Sequence, residues 1–275
     1  MKLTDLLKPR SFVRRKVREL AAARARREFY GNGDATEPDI LRSEWETSLV
    51  EPTAFYRRCC RYFQSTLPQP FRSHRHYFTQ AGRGFGEDAF HVLWFLIFRE
   101  FKPQSFLEIG VYRGQSLSLS SLAAKHFEAA CEVFGISPFE AIGDSVSKYR
   151  QDVDYRADTL ANFEFFELPR PTLLKAYSTE PSAASLIRSR QWDVIYIDGN
   201  HDYEIAKKDW EVCSEMLKTD GIIVLDDSAL TTSYQAPAFA FGGHPGPSRL
   251  AQEIDRTKFR EVLQVGHNRA FQKVS

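Results

Sequence analysis

FLEIGVYRGQS, residues Phe106 to Ser116, is an apolar run of strand length that breaks at Gly110 into a short loop and reopens as a helix at Gln115 and Ser116. Two later stretches end in the same manner, VIYIDGNH (Val194 to His201) and IIVLDD (Ile222 to Asp227). Apolar runs that stop at a glycine or an acid are how the strand ends of a parallel α/β sheet read, and ligands bind at such ends.

The loop after Glu108 narrows the ligand. A nicotinamide-binding loop needs G-x-G-x-x-G, whose second glycine lets a pyrophosphate approach the backbone, and here Tyr112 occupies that place. A P-loop needs a lysine after its last glycine, and none follows Gly114. An acid at the strand end (Glu108) with Gly110 and Gly114 behind it suits a ligand with a cationic amino acid moiety and no phosphate, as S-adenosylmethionine is. A tight strand-to-helix turn in some other Rossmann-like protein is the plainer alternative.

Asp198, Asp226 and Asp227 sit at the ends of the two later runs. Three carboxylates on neighbouring strand ends make an oxygen-donor site of the kind Mg²⁺ prefers. Successive residues of an extended strand point to opposite faces, so Asp226 and Asp227 can share an ion only if the chain turns there. His201 lies just beyond Asp198, and its ordinary pKa near 6.5 suits a base at neutral pH. As a helix cap or a metal ligand it would have a different job.

The spacing ExGxxxG (Glu108, Gly110, Gly114) resembles the first motif of the class I S-adenosylmethionine-dependent methyltransferases. Together with FGISPF, WDVIYIDGNHDY, LKTDGIIVLDD and the late VGHN, it is similar to their metal-dependent O-methyltransferase branch, which includes macrolide and sugar O-methyltransferases and cephalosporin hydroxylase-like proteins. The likeness runs from about Gly84 to Ser275. It implies a Rossmann-like α/β fold, a seven-stranded mostly parallel sheet with an antiparallel terminal strand, preceded by an N-terminal helical extension. It also implies that Glu108, Gly110, Arg113, Gly114, Ser116, Ser137 and Ser178 hold S-adenosylmethionine. Asp198, Asp226 and Asp227 would then hold Mg²⁺ or another divalent cation. His201 would take the proton of an acceptor hydroxyl on a sugar or natural-product-like small molecule. Ser137 stands where the family usually carries an acid for the ribose hydroxyls, and Asn200 where some relatives carry their base. A metal-dependent hydroxylase-like protein and a catalytically silent cofactor-binding module are the other readings; a facial triad of two histidines and one carboxylate fits three carboxylates poorly.

The division expected is a helical, basic extension over 1–80 and a methyltransferase domain over 81–275. The chain of 275 residues has a net charge of +1, which argues against a general polyanion binder, yet residues 1 to 30 alone carry +7. That head lacks the interleaved aromatics of nucleic-acid contacts. Its apolar residues predict a helix starting near residue 11 that packs on its own body or on a second subunit, which would make a homo-oligomer; contact with a membrane surface or a glycan polymer is the alternative. Four cysteines without metal spacing, no signal peptide and no long apolar run predict a cytoplasmic protein with no transmembrane segment.

Other expectations concern local structure. Asp39 to about Leu67 reads as one helix, His74 and His76 as loop residues at the cofactor mouth, and Tyr149 to Phe166 as a helix. The segment from Ser228 to Pro247 reads as a loop covering the substrate, with His244 a second base candidate and Arg83 and Glu87 further site candidates.

Overall fold

β1 (Ser105–Ile109), β2 (Glu132–Ser137), β3 (Thr172–Lys175), β4 (Trp192–Ile197), β5 (Leu217–Leu225), β6 (Phe259–Val265) and β7 (Asn268–Lys273) form one sheet in the order β3-β2-β1-β4-β5-β7-β6. The computed structural model describes residues 20–31, 36–144, 146–147 and 149–274. The first five strands are parallel, and β7 runs antiparallel to both β5 and β6. Strand order reverses between β1 and β4, and this switch point leaves a crevice at the carboxyl ends of the strands.

The helices are α1 (residues 20–30), α2 (Thr47–Val50), α3 (Pro52–Ser65), α4 (Gln69–Thr79), α5 (Asp88–Phe101), α6 (Gln115–His126), α7 (Tyr155–Phe165), α8 (Pro181–Arg188), α9 (Tyr203–Met216) and α10 (Pro245–Glu253). Alternation along the strands divides the core in two. Leu107, Ile109, Ile195, Ile197, Ile223 and Leu225 pack with α8, α9 and α10 on one face. Phe106, Val194, Tyr196, Ile222 and Val224 point to the other, where α3, α5 and α6 lie. Ten successive residues of α5 from Ala89 to Phe98 are buried, because this helix is enclosed on all sides rather than along a stripe. Its Trp94 meets Phe106 and Tyr196 edge-to-face, with ring centroids 5.3 and 5.1 Å apart.

The segment before residue 80 shares this core: Trp45, Tyr62 and Phe71 belong to the same apolar cluster as Val194 and Leu263. Ser48 Oγ accepts from the Gln264 amide at 2.9 Å, fastening α2 to β6. The helix start expected near residue 11 lies outside the described residues. What is described of α1 packs on its own chain, Phe29 lying 5.9 Å from Tyr56 and 5.5 Å from Phe239.

The single helix expected over 39–67 is broken into a 3-10 turn (Arg42–Glu44), α2 and α3. Glu51 leaves helical geometry at φ −124° because Pro52 follows it and begins the next helix. His74 and His76 are on α4 rather than in a loop. His74 is fully buried, with Nδ1 3.1 Å from His91 Nε2 and Nε2 2.9 Å from Ser118 Oγ, so it ties α4, α5 and α6 together. Burial drives its pKa well below 6.5 and that of His91 down to about 3, so both rings are neutral. The helix expected from Tyr149 begins only at Tyr155, capped by the Asp154 side chain on the Ala157 amide.

Candidate active site

Backbone hydrogen bonds carry the sheet ladder past the strand ends. Asp198 N donates to Ile109 O at 2.8 Å and Asp226 N to Ile197 O at 3.0 Å, so both acids stand on the rim beside Gly110. Gly110 has φ +97°, and a Cβ there would fall 1.8 Å from the Asp198 carbonyl oxygen. The glycine is therefore required by the packing of one strand end on the next. Gly110→Ala is expected to lower the melting temperature by several degrees, as thermal unfolding would read.

Asp227 has φ +50°, in the left-handed region. This is the turn that lets both acids face one hollow.

One cavity of about 770 Å³ runs along the rim. Glu108, Gly110, Tyr112, Ser137 and Ser178 line it, as do Asp198, His201, Asp226, Asp227, His244 and His267. At the Glu108 end the carboxylate is buried; Oε1 accepts from Ser116 Oγ at 2.5 Å, and Oε2 has no partner. Burial pushes its pKa up to about 8, against the Ser116 hydrogen bond. A buried acceptor without a donor, aimed at the cavity, fits the amino group of an amino acid ligand. Ser116 is thereby committed to Glu108. Ser137 Oγ donates to Val111 O at 2.9 Å. Arg113 lines the same cavity, but its guanidinium is clamped on Asp158 at 2.6 and 3.0 Å and on the carbonyls of Ala81 and Gly82. It fixes the loop before α5 to α7. Ser178 faces Asp209, a carboxyl raised by burial to about 7.

The opposite end is crowded with charge. His201 Nδ1 lies 2.5 Å from Asp144 Oδ2 and its Nε2 3.0 Å from Asp227 Oδ2. Burial disfavours a charged ring, but hydrogen bonds to Asp227 and Asp144 outweigh it and raise the pKa to about 9. The ordinary value assumed for His201 from the sequence is thus displaced upward by two carboxylates. Burial and the neighbouring His201 charge push His244 downward, its ring 4.2 Å from that of His201. Asp198 and Asp226 shift in opposite directions: burial and the Asp226 charge raise Asp198 well above the usual carboxylate range, whereas burial of Asp226 is outweighed by the His267 charge, which holds it below that range.

Among the described residues, two triplets have ligating atoms within 4.8 Å of one another: His201, Asp227 and His244, and Asp226, Asp227 and His267. Asp198 is in neither, although it touches Asp226. Sequence reading left His267 within a motif and without a role, and missed Asp144. His267 follows a hairpin glycine and Asp144 lies in an irregular loop, neither with periodicity to flag it. Tyr56 belongs to an aromatic helix face; its hydroxyl donates to Glu87, and both line the cavity.

In sequence, residues 107–228 match the family model described as a methyltransferase domain. This stretch is a methyltransferase domain. It spans β1 to the turn after β5 and therefore holds Glu108, Gly110, Asp198, His201, Asp226 and Asp227. No curated protein matches the chain in sequence. Among solved structures, the S-adenosylhomocysteine-bound methyltransferase PaMTH1 of Podospora anserina is similar at 17% identity, covering 86% of this chain and 100% of its own, with a TM-score of 0.57. An O-methyltransferase of Bacillus cereus in complex with S-adenosylhomocysteine matches at 12% identity over 85% and 100% of the two chains, TM-score 0.52. The O-methyltransferase TomG of Streptomyces achromogenes, bound to S-adenosylmethionine, matches at 12% over 86% and 100%, TM-score 0.50. These likenesses extend the methyltransferase fold beyond residues 107–228 to most of the chain. Among the described residues, no helix is long and apolar enough to cross a membrane.

Proposed function

We propose that this domain transfers the methyl group of S-adenosylmethionine to a hydroxyl oxygen of a small molecule, a sugar or a natural-product-like compound, with help from a divalent cation. The observation that carries the reading is the single cavity joining an unpartnered buried carboxylate, Glu108, to a cluster of imidazoles and carboxylates around Asp227.

When bound, the cofactor supplies an electrophilic methyl carbon, so the chain must chiefly align an acceptor oxygen and remove its proton. Glu108 accepts from the amino group of the cofactor's amino acid end. Gly110 and Gly114, at φ +97° and +75°, shape the turn beneath it. Ser137 and Ser178 line the path toward the nucleoside. Val111 O, already bonded to Ser137, fixes that wall. Asp226 and Asp227, with Asp198 behind, supply the carboxylates for a divalent cation, Mg²⁺ in the simplest case. Such an ion would hold acceptor oxygens and lower a hydroxyl pKa. The buried Asp226 Oδ1, which lacks a hydrogen-bond partner, is the acceptor that such an ion would satisfy. His201 takes the hydroxyl proton on Nε2, which lies 3.0 Å from Asp227 Oδ2, while Asp144 holds its Nδ1.

Above the site lies the segment between Ser228 and His244. Phe239 and Phe241 line the cavity, and Phe239 is gripped from outside by Phe29 and Tyr30. This closes the acceptor end with aromatic surface and favours an acceptor small enough to be enclosed.

Calorimetric titration with S-adenosylmethionine tests the reading first. Binding with micromolar affinity is expected, and Glu108→Ala should weaken it by tenfold or more. Absence of binding to the native chain would sink the proposal.

A further inference from the structure

We propose that His267 is a metal ligand, which with Asp226 and Asp227 makes a site of one imidazole nitrogen and two carboxylate oxygens selective for a transition-metal ion such as Mn²⁺, Fe²⁺ or Co²⁺ over Mg²⁺. The inference rests on the cation assistance proposed above and specifies its ligands and its metal.

The geometry is that of ligands prepared for an ion. His267 Nε2 lies 3.4 Å from Asp226 Oδ1 and 3.7 Å from Asp227 Oδ1. Both separations exceed the roughly 2.7–3.2 Å of a good N–H···O bond. They approach the spacing of neighbouring atoms on one ion, about 3.0–3.5 Å for bonds near 2.1 Å at tetrahedral or octahedral angles. Asp226 Oδ1 is a buried atom with no hydrogen-bond partner.

The outer nitrogen completes the arrangement. His267 Nδ1 is 3.2 Å from the Phe241 carbonyl oxygen, to which it can only donate. That contact places a proton on Nδ1 and points Nε2 toward the two carboxylates, as second-shell acceptors do for ligating histidines. Phe241 belongs to the segment over the cavity, so the contact that orients the ligand also fastens the covering loop. Asp227 divides its oxygens: Oδ1 faces His267, whereas Oδ2 faces His201 at 3.0 Å.

Donor chemistry then decides the metal. Mg²⁺ is hard, dehydrates reluctantly and takes oxygen, whereas imidazole suits first-row transition ions. One nitrogen among the protein ligands shifts preference away from Mg²⁺ without excluding oxygen donors for the acceptor.

The test uses the full chain stripped with chelator and titrated separately with Co²⁺, Mn²⁺ and Mg²⁺ by calorimetry, with visible absorption reading the Co²⁺ environment. Co²⁺ and Mn²⁺ should bind at least tenfold more tightly than Mg²⁺. His267→Ala should lose at least tenfold in Co²⁺ affinity and change the cobalt spectrum, while S-adenosylmethionine binding stays within about threefold. His267→Asn, which offers oxygen in place of nitrogen, covers the case in which the alanine variant fails to fold and should bring the Mg²⁺ and Co²⁺ affinities closer together. Equal affinity for Mg²⁺ and Co²⁺ in the native chain overturns the inference, and so does a Co²⁺ affinity untouched by His267→Ala. Loss of Co²⁺ in His244→Ala instead would put the ion on the other side of Asp227 and overturn it too. In each of these cases cation assistance itself survives. If no ion binds at all, both fall, while cofactor binding still reports separately on methyl transfer.

Discussion

His201→Ala is expected to lower kcat/KM for methyl transfer by about 10²–10⁴-fold, the range by which a positioned general base accelerates proton removal, with cofactor affinity unchanged. The imidazole sits between Asp144 and Asp227, and the two carboxylates overcome its burial to raise the pKa to about 9. A base works in its neutral form. The native protein without added metal should therefore gain activity with pH up to about 9 and level off above it. At pH 7 only about one ring in a hundred is neutral. A divalent cation on Asp227 withdraws negative charge from the ring's neighbour, so adding metal should move that limb to lower pH. Residual activity of His201→Ala should show no such limb. An unchanged pH profile in that variant would assign the proton to another group, His244 being the nearest imidazole.

Asp227→Asn should lower transfer by about 10³-fold or more, since metal grip and the His201 partner are lost together. Asparagine is chosen because residue 227 has φ +50°, a conformation that asparagine, like aspartate, adopts more readily than other side chains do. The turn that carries the acids survives, and thermal unfolding should stay within a few degrees of the native protein. Any remaining activity should titrate below pH 9, since removing the Asp227 charge takes away one of the two contacts that raise His201. Activity near the native level in the presence of chelator would dispose of both roles assigned to Asp227.

The mostly parallel sheet was legible in the residues themselves. FLEIGVYRGQS, VIYIDGNH and IIVLDD are β1, β4 and β5 with the loops that follow them, because a strand buried on both faces must be apolar throughout and must end where glycine or an acid faces the crevice. The same rule placed Glu108, Asp198, Asp226 and Asp227 on one rim. The requirement that the chain turn between Asp226 and Asp227 could also be stated from strand geometry alone, and the left-handed Asp227 meets it.

What the sequence could not supply was which polar groups are already spent. Ser116 donates to Glu108, Ser137 to Val111, and Arg113 is locked on Asp158, all through contacts set by packing between distant elements. The environment of His201 was equally hidden, since Asp144 reaches it from an irregular loop 57 positions away. His267 owes its place to the antiparallel return of β7 beside β5, which carries the hairpin glycine and its neighbour back to the strand ends. Local periodicity determines which residues lie along a strand and which face they take. Only the closing of the sheet decides which side chains from remote segments meet, and therefore which of them remain free to bind and react.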